Sequence, residues 1–113
     1  MAYDQELARR VGSMLESMAG ISEKRMMGSI CFLLNGNMVC GADRTKDGAG
    51  RFLFRVGKGN QQRAERLPGA EPMMQGGRRM SGFYFVGEEA ASDEVLQDWL
   101  SLALAHVATL PAK

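Results

Sequence analysis

The chain has 113 residues and a mass of 12.3 kDa, which is room for one domain around one hydrophobic core. Apolar residues make up 45% and charged residues 24%, and 14 Lys and Arg against 13 Asp and Glu leave a net charge of +1, which excludes a strongly basic nucleic-acid protein and an acidic disordered chain. No apolar run approaches the ~20 residues of a membrane helix, and the opening Met1-Ala2-Tyr3-Asp4-Gln5-Glu6 lacks the pattern of a signal peptide, so no membrane partner and a cytoplasmic location are expected.

The first helix is expected to run from an Asp4 N-cap to a stop at Gly20. Leu7, Val11, Met14, Leu15 and Met18 recur at helical spacing on one face, with Arg9, Arg10, Ser13 and Glu16 opposite. Residues 25–43 read as a hairpin. The apolar runs Ile30–Leu34 and Met38–Cys40 flank Asn35-Gly36-Asn37, and Asn-Gly is the dipeptide that most readily takes the two positive φ values of a tight turn. A polar, glycine-containing loop over 43–50 leads to a third strand, Arg51–Val56, in which Phe52, Phe54 and Val56 alternate with Arg51, Leu53 and Arg55.

Lys58–Leu67 suits a short second helix closed by Pro68-Gly69. Two more strands follow, a short one over Pro72–Gln75 and a firmer one over Met80–Val86, with Gly76-Gly77 turning between them. The last helix starts at Ser92, which caps it; Asp93 and Glu94 complement its dipole, and Pro111 lies past its end. Val95, Leu96, Trp99, Leu100, Ala103, Leu104 and Val107 give it a broad apolar face. The resulting order, α-β-β-β-α-β-β-α with hairpin-linked strands, is that of an α+β fold in two layers, helices on one side of an antiparallel sheet. The nine methionines are expected mainly as core filling.

Signatures of catalysis are missing. Gly57-Lys58-Gly59-Asn60 has neither the leading glycine nor the following Ser or Thr of a phosphate loop, and Gly48-Ala49-Gly50 does not join a strand to a helix. No metal-ligand spacing is present, and neither a cofactor nor a catalytic residue is expected. His106, the one histidine, sits at the border of the last helix's apolar face near its C-terminus, where an imidazolium would complement the dipole. Cys31 and Cys40 fall opposite each other if the hairpin turns on Asn35-Gly36, in a non-hydrogen-bonded pair with Cα atoms about 4.5 Å apart, within reach of a disulfide. A three-residue turn would separate them. Two small buried thiols are the plainer expectation, with a redox pair the alternative.

Charge is uneven along the chain. Arg51, Arg55, Lys58, Arg63, Arg66, Arg78 and Arg79 crowd one stretch, while Glu88, Glu89, Asp93, Glu94 and Asp98 follow in the next. The cations could form an interaction surface for an acidic partner or a nucleic acid; the plainer expectation is a solvated surface whose charges meet the acidic helix. No aromatic array is evident beside them in sequence beyond Phe83, Tyr84 and Phe85.

Several motifs together resemble the TfoX (Sxy) N-terminal domain family. They are Met1-Ala2-Tyr3-Asp4, Glu23–Gly28, Asn35-Gly36-Asn37-Met38, Arg55-Val56-Gly57, Pro68–Met73, Gly77-Arg78 with Met80-Ser81-Gly82, Trp99 and the closing Leu110-Pro111-Ala112-Lys113. Met27 and Ser29 replace the family's usual phenylalanine and second glycine. The resemblance covers nearly the whole chain, which is expected to be a stand-alone domain over 1–113. It implies an α-β(3)-α-β(2)-α two-layer fold like that of secretion chaperones, and a link to regulation of competence genes, where full-length members carry a second, C-terminal domain and act as transcriptional co-regulators. The expected function is a non-enzymatic regulatory or protein-interaction module, its partner a protein, with transcriptional machinery among the candidates and a homodimer as a further option. The alternatives are a weak nucleic-acid binder through residues 51–80, and a small-ligand protein or enzyme using the cleft between helices and sheet.

Overall fold

Helix α1 (Gln5–Leu15) turns Leu7, Ala8, Val11 and Leu15 inward, the face its helical spacing selects. The computed structural model describes residues 5–26 and 28–113, so the Asp4 cap lies outside the described residues. The helix stops at Leu15, short of Gly20, and Met18 is exposed instead of extending the buried stripe. Four strands follow: β1 (Ile21–Met26), β2 (Ser29–Leu34), β3 (Asn37–Arg44) and β4 (Gly50–Arg55). A 3-10 turn at Lys58–Asn60 leads into the short helix α2 (Gln61–Ala64), then β5 (Glu71–Gln75), β6 (Arg78–Gly87) and helix α3 (Asp93–Val107).

The strands form one antiparallel sheet in the order β1-β2-β3-β4-β6-β5, and the helices pack on one of its faces. The α+β two-layer class is as expected, but the strand order is α-β(4)-α-β(2)-α. The additional strand is β1. Its sequence, Ile-Ser-Glu-Lys-Arg-Met, has no apolar alternation because it lies at a sheet edge, exposed over all but Ile21. Charged side chains there also discourage a foreign strand from pairing with the edge. The other edge, β5, carries Pro72, which an edge tolerates because it has no N–H to contribute.

The core lies between the sheet and the helices. Phe52, Phe54 and Val56 enter it from the β4 side, Tyr84 and Val86 from β6, and Leu96, Trp99, Leu100, Ala103 and Val107 from α3. Trp99 stands at its centre, fully buried, with ring centroids 5.5 Å from Phe54 and 5.7 Å from Tyr84. Its indole N–H donates to the Pro68 carbonyl at 3.1 Å, so the ring also fixes the segment leaving α2. Ser92 caps α3 as expected, accepting from the Val95 N–H at 3.3 Å.

The end of the chain returns to the β2–β3 turn. The Lys113 N–H donates to the Asn35 carbonyl, and the amide of Asn37, the one buried polar side chain among the described residues, donates to the Pro111 carbonyl at 2.8 Å. Gly36 has φ 85°, and a Cβ there would stand 2.9 Å from the Lys113 Cβ. The turn therefore needs glycine both for its backbone and for the tail that lies on it.

Candidate interaction surface

Helices cover one face of the sheet only. On the opposite face strand alternation places Cys31 and Leu33 of β2, Met38, Gly41 and Asp43 of β3, Arg51, Leu53 and Arg55 of β4, and Phe83 and Phe85 of β6. Leu33, Met38, Leu53, Phe83 and Phe85 are half-buried and belong neither to the core nor to the apolar side chains packed around it. Their band crosses the middle of the sheet at two adjacent levels. Leu53 and Phe85 lie opposite each other, as do Leu33 and Met38, and Phe83 lies opposite Arg55.

Arginines frame this band. The Arg51 guanidinium lies 3.8 Å from the centroid of Phe85 and is held there by Asp43, whose two carboxylate oxygens accept at 2.9 and 3.3 Å. Arg55 stands 6.0 Å from the Phe83 ring. Aromatic rings thus do accompany two of the sequence-selected cations. Phe83 and Phe85 reach them through the β4–β6 pairing, which sequence proximity alone could not supply.

The seven cations do not form one surface. Arg51 and Arg55 lie on the open face, whereas Lys58, Arg63 and Arg66 are exposed on the turn and helix that pack on the other side. Arg79 reaches the helix layer too, bonding Glu65 at 2.6 Å and the Tyr84 hydroxyl at 2.7 Å. Its neighbour Arg78, paired with Gln75 in the β5–β6 hairpin, falls by alternation on the open face. The acidic stretch is met by other partners than expected: Asp93, in the first turn of α3, by Arg10 at 3.2 Å, and Glu88, in the turn before that helix, by Arg44 at 3.7 Å.

The Tyr84 hydroxyl in turn donates to Glu65 at 2.8 Å, closing a three-membered network between β6 and α2. Hydrogen bonds from Arg79 and Tyr84 hold the Glu65 carboxyl below its ordinary pKa. Burial, then the bond to Glu65, raises the Tyr84 phenol. The network ties the end of α2 to the sheet.

Cys31 and Cys40 do not face each other. The tight turn forms on Asn35-Gly36, with φ 52° and 85°, and pairs Leu34 with Asn37 and Leu33 with Met38. A bulge then shifts the ladder by one residue, so that Phe32 faces Cys40 and Cys31 faces Gly41. Val39 and Cys40 both enter the core, while Cys31 lies on the open face, where a Cβ on Gly41 would meet its sulfur at 3.4 Å. Both thiols are free and buried, and burial raises both pKa values, with Asp43 adding to the effect on Cys31.

His106 also departs from its expected role. Burial, then the nearby Arg55 charge, lowers its pKa, which works against a cationic role at the helix end. It packs on Gly57, which has φ 84° and where a Cβ would lie 2.4 Å from Nδ1.

A concavity lies on the helix side, between α1 and β1. It is a groove of about 530 Å³ with Gly12, Ile21 and Phe32 in its floor and Arg9, Glu16, Glu23 and Arg25 on its rim. Its size suits a small molecule, but its charges are of both signs and converge on no one point. Among the described residues no group of His, Cys, Asp and Glu could hold a metal, and no helix is long and apolar enough to cross a membrane.

The apolar members of the open face did leave a signal in the sequence. Ile30–Leu34 and Phe83–Val86 are apolar at every position, and a strand without alternation is one with both faces apolar. Leu53 likewise interrupts the polar side of Arg51–Arg55.

No curated protein and no solved structure matches the chain. The family model of the TfoX N-terminal domain matches residues 13–107, from the last turn of α1 to the last residue of α3. On that match, made over a fold of the expected class, the chain belongs to the TfoX N-terminal domain family.

Proposed function

We propose that this domain is a non-enzymatic module that works by binding another protein, in a regulatory role akin to that implied for the competence regulators of its family, and in the cytoplasm. The observation that carries the reading is the half-covered sheet. A monomeric protein seldom leaves a continuous apolar band in the middle of a sheet face, and such bands mark contact sites. The groups with shifted pKa values point the same way: Glu65, Tyr84 and Arg79 hydrogen-bond one another, His106 is packed on a glycine, and Cys31 and Cys40 are buried. None of them stands free at the mouth of a cleft, where a catalytic acid or base would be wanted.

The test is capture followed by reconstitution. Proteins retained from a cell extract by the tagged chain are purified singly and titrated back onto it at about 50 and 200 mM salt. At least one is expected to bind saturably and to keep most of its affinity at the higher salt, as an interface with an apolar centre does. Rebinding by none of them would overturn the reading, all the more if nucleic acid were retained instead or a metabolite raised the melting temperature.

A further inference from the structure

The uncovered sheet face carries charge as well as apolar surface, and its net charge is positive. With Arg51 and Asp43 neutralising each other, the ionisable side chains left on it are Lys24, Arg55 and Arg78 against Glu71. Lys24 lies opposite Cys31 on one flank of the apolar band, and Arg78 lies in the β5–β6 hairpin on the other. The band therefore has cations at both ends. Resting on the protein-binding reading above, we propose that this face seats an amphipathic segment of a partner protein, one apolar side of which covers Leu33, Met38, Leu53, Phe83 and Phe85 while flanking carboxylates meet Lys24, Arg55 and Arg78.

Three features favour this occupant. Three of the five apolar side chains, Leu33, Met38 and Leu53, are aliphatic or thioether groups that adapt to the apolar side chains of another polypeptide, and only Phe83 and Phe85 offer a ring for a base to stack on. One side of the Phe85 ring is already covered by the Arg51 guanidinium, which Asp43 fixes in place. A second copy of the chain laid face to face would bring cationic flanks against cationic flanks, which costs affinity. Acidic residues on the incoming segment remove that cost and speed its encounter with the face.

The test uses the full chain, isotope-labelled, and designed peptides as probes. Six strands about 4.8 Å apart make a face about 24 Å across, the length of about 16 helical residues. One peptide of about that length carries leucines on one helical side and glutamates on the other; a second has lysine in place of each glutamate. A labelled oligothymidylate is the third probe. The glutamate peptide is expected to bind at least about tenfold tighter than the lysine peptide and the oligonucleotide. Its binding should shift amide resonances of Leu33, Leu53, Phe83 and Phe85, but not those of the α1–β1 groove. Arg55→Glu, a surface change, should bring the affinities of the two peptides close together while leaving the melting temperature near the parent's. Phe83→Ser should weaken both.

Equal binding of the two peptides, shifts confined to the helix side, or tighter binding of the oligonucleotide would each overturn the proposal, as would dimerisation of the chain through this face. A natural partner that rebinds saturably yet shifts only helix-side resonances would leave the protein-binding reading standing and remove this surface from it. If no protein rebinds, that reading itself falls.

Discussion

Trp99 joins three parts of the molecule: it stacks with Phe54 of β4, packs at a tilt on Tyr84 of β6 and donates to the Pro68 carbonyl beyond α2. Trp99→Ala removes the largest fully buried side chain and leaves a cavity none of these neighbours can fill without shifting, at a cost of about 3–5 kcal/mol. In a chain of this size that corresponds to a fall in melting temperature of roughly 10 °C or more. A variant that melts within a couple of degrees of the parent would contradict the packing. His106 gives the molecule a pH dependence of definite sign. Its folded pKa is depressed below the ordinary histidine value, by burial first and Arg55 second. The unfolded chain therefore binds the proton more readily than the folded one, and stability is lost as pH falls from about 7.5 through the unfolded pKa towards the folded one. Urea titrations at several pH values between about 5 and 8 should show this loss in the parent and a flatter profile in His106→Gln. A profile equally steep in the variant would place the dependence on other groups.

At the scale of elements, what the sequence disclosed depends on where each element's side chains end up. Helix α3 was readable in full because its cap, first-turn acids and apolar stripe all point to the same structure, and the structure uses each of them. Strand β1 was not, since an edge strand buries almost nothing and so shows no period. The β2–β3 turn was readable from Asn35-Gly36 alone, but the bulge two residues further on was not: Met38-Val39-Cys40 is apolar throughout, and such a run fits a regular ladder as well as a shifted one. For the candidate site the consequence is similar. The arginines of the open face were visible as charges, whereas the rings beside them depended on β6 pairing with β4, across the α2–β5 excursion. The shifted register has a chemical outcome. Phe32 faces Cys40, so Cys31 and Cys40 point to opposite faces and cannot be bridged without moving the backbone. Mild oxidation followed by intact mass measurement is expected to leave the monomer without the loss of two hydrogens that an intramolecular disulfide causes. Finding that loss would mean the hairpin adopts the regular register.

For the whole molecule, net charge says little and charge placement says more. The near-neutral total of +1 hides cations divided between two layers: Arg55 and Arg78 on the open face, Lys58, Arg63 and Arg66 on the helix side, and Arg51 and Arg79 already committed to Asp43 and Glu65. A rigid duplex can meet only one layer at a time. With Lys24, Arg55 and Arg78 as the cations left unmatched on the broader face, about three phosphates are neutralised, which gives a log–log salt slope no steeper than about −3. Affinity for a random duplex is then expected in the range of about 10⁻⁴–10⁻⁶ M at physiological salt, without sequence preference. Fluorescence anisotropy of a labelled duplex at two salt concentrations measures both quantities. Arg78→Glu with Arg79→Glu should reduce this weak binding further; because the pair spans both faces and breaks the Arg79–Glu65 bond, the double variant's melting temperature must be recorded alongside. Tight binding at physiological salt, with a steep slope and abolished by that double variant in a still-folded chain, would show that the two layers act together on one phosphate backbone. Nucleic acid would then replace the protein partner as the ligand this fold serves.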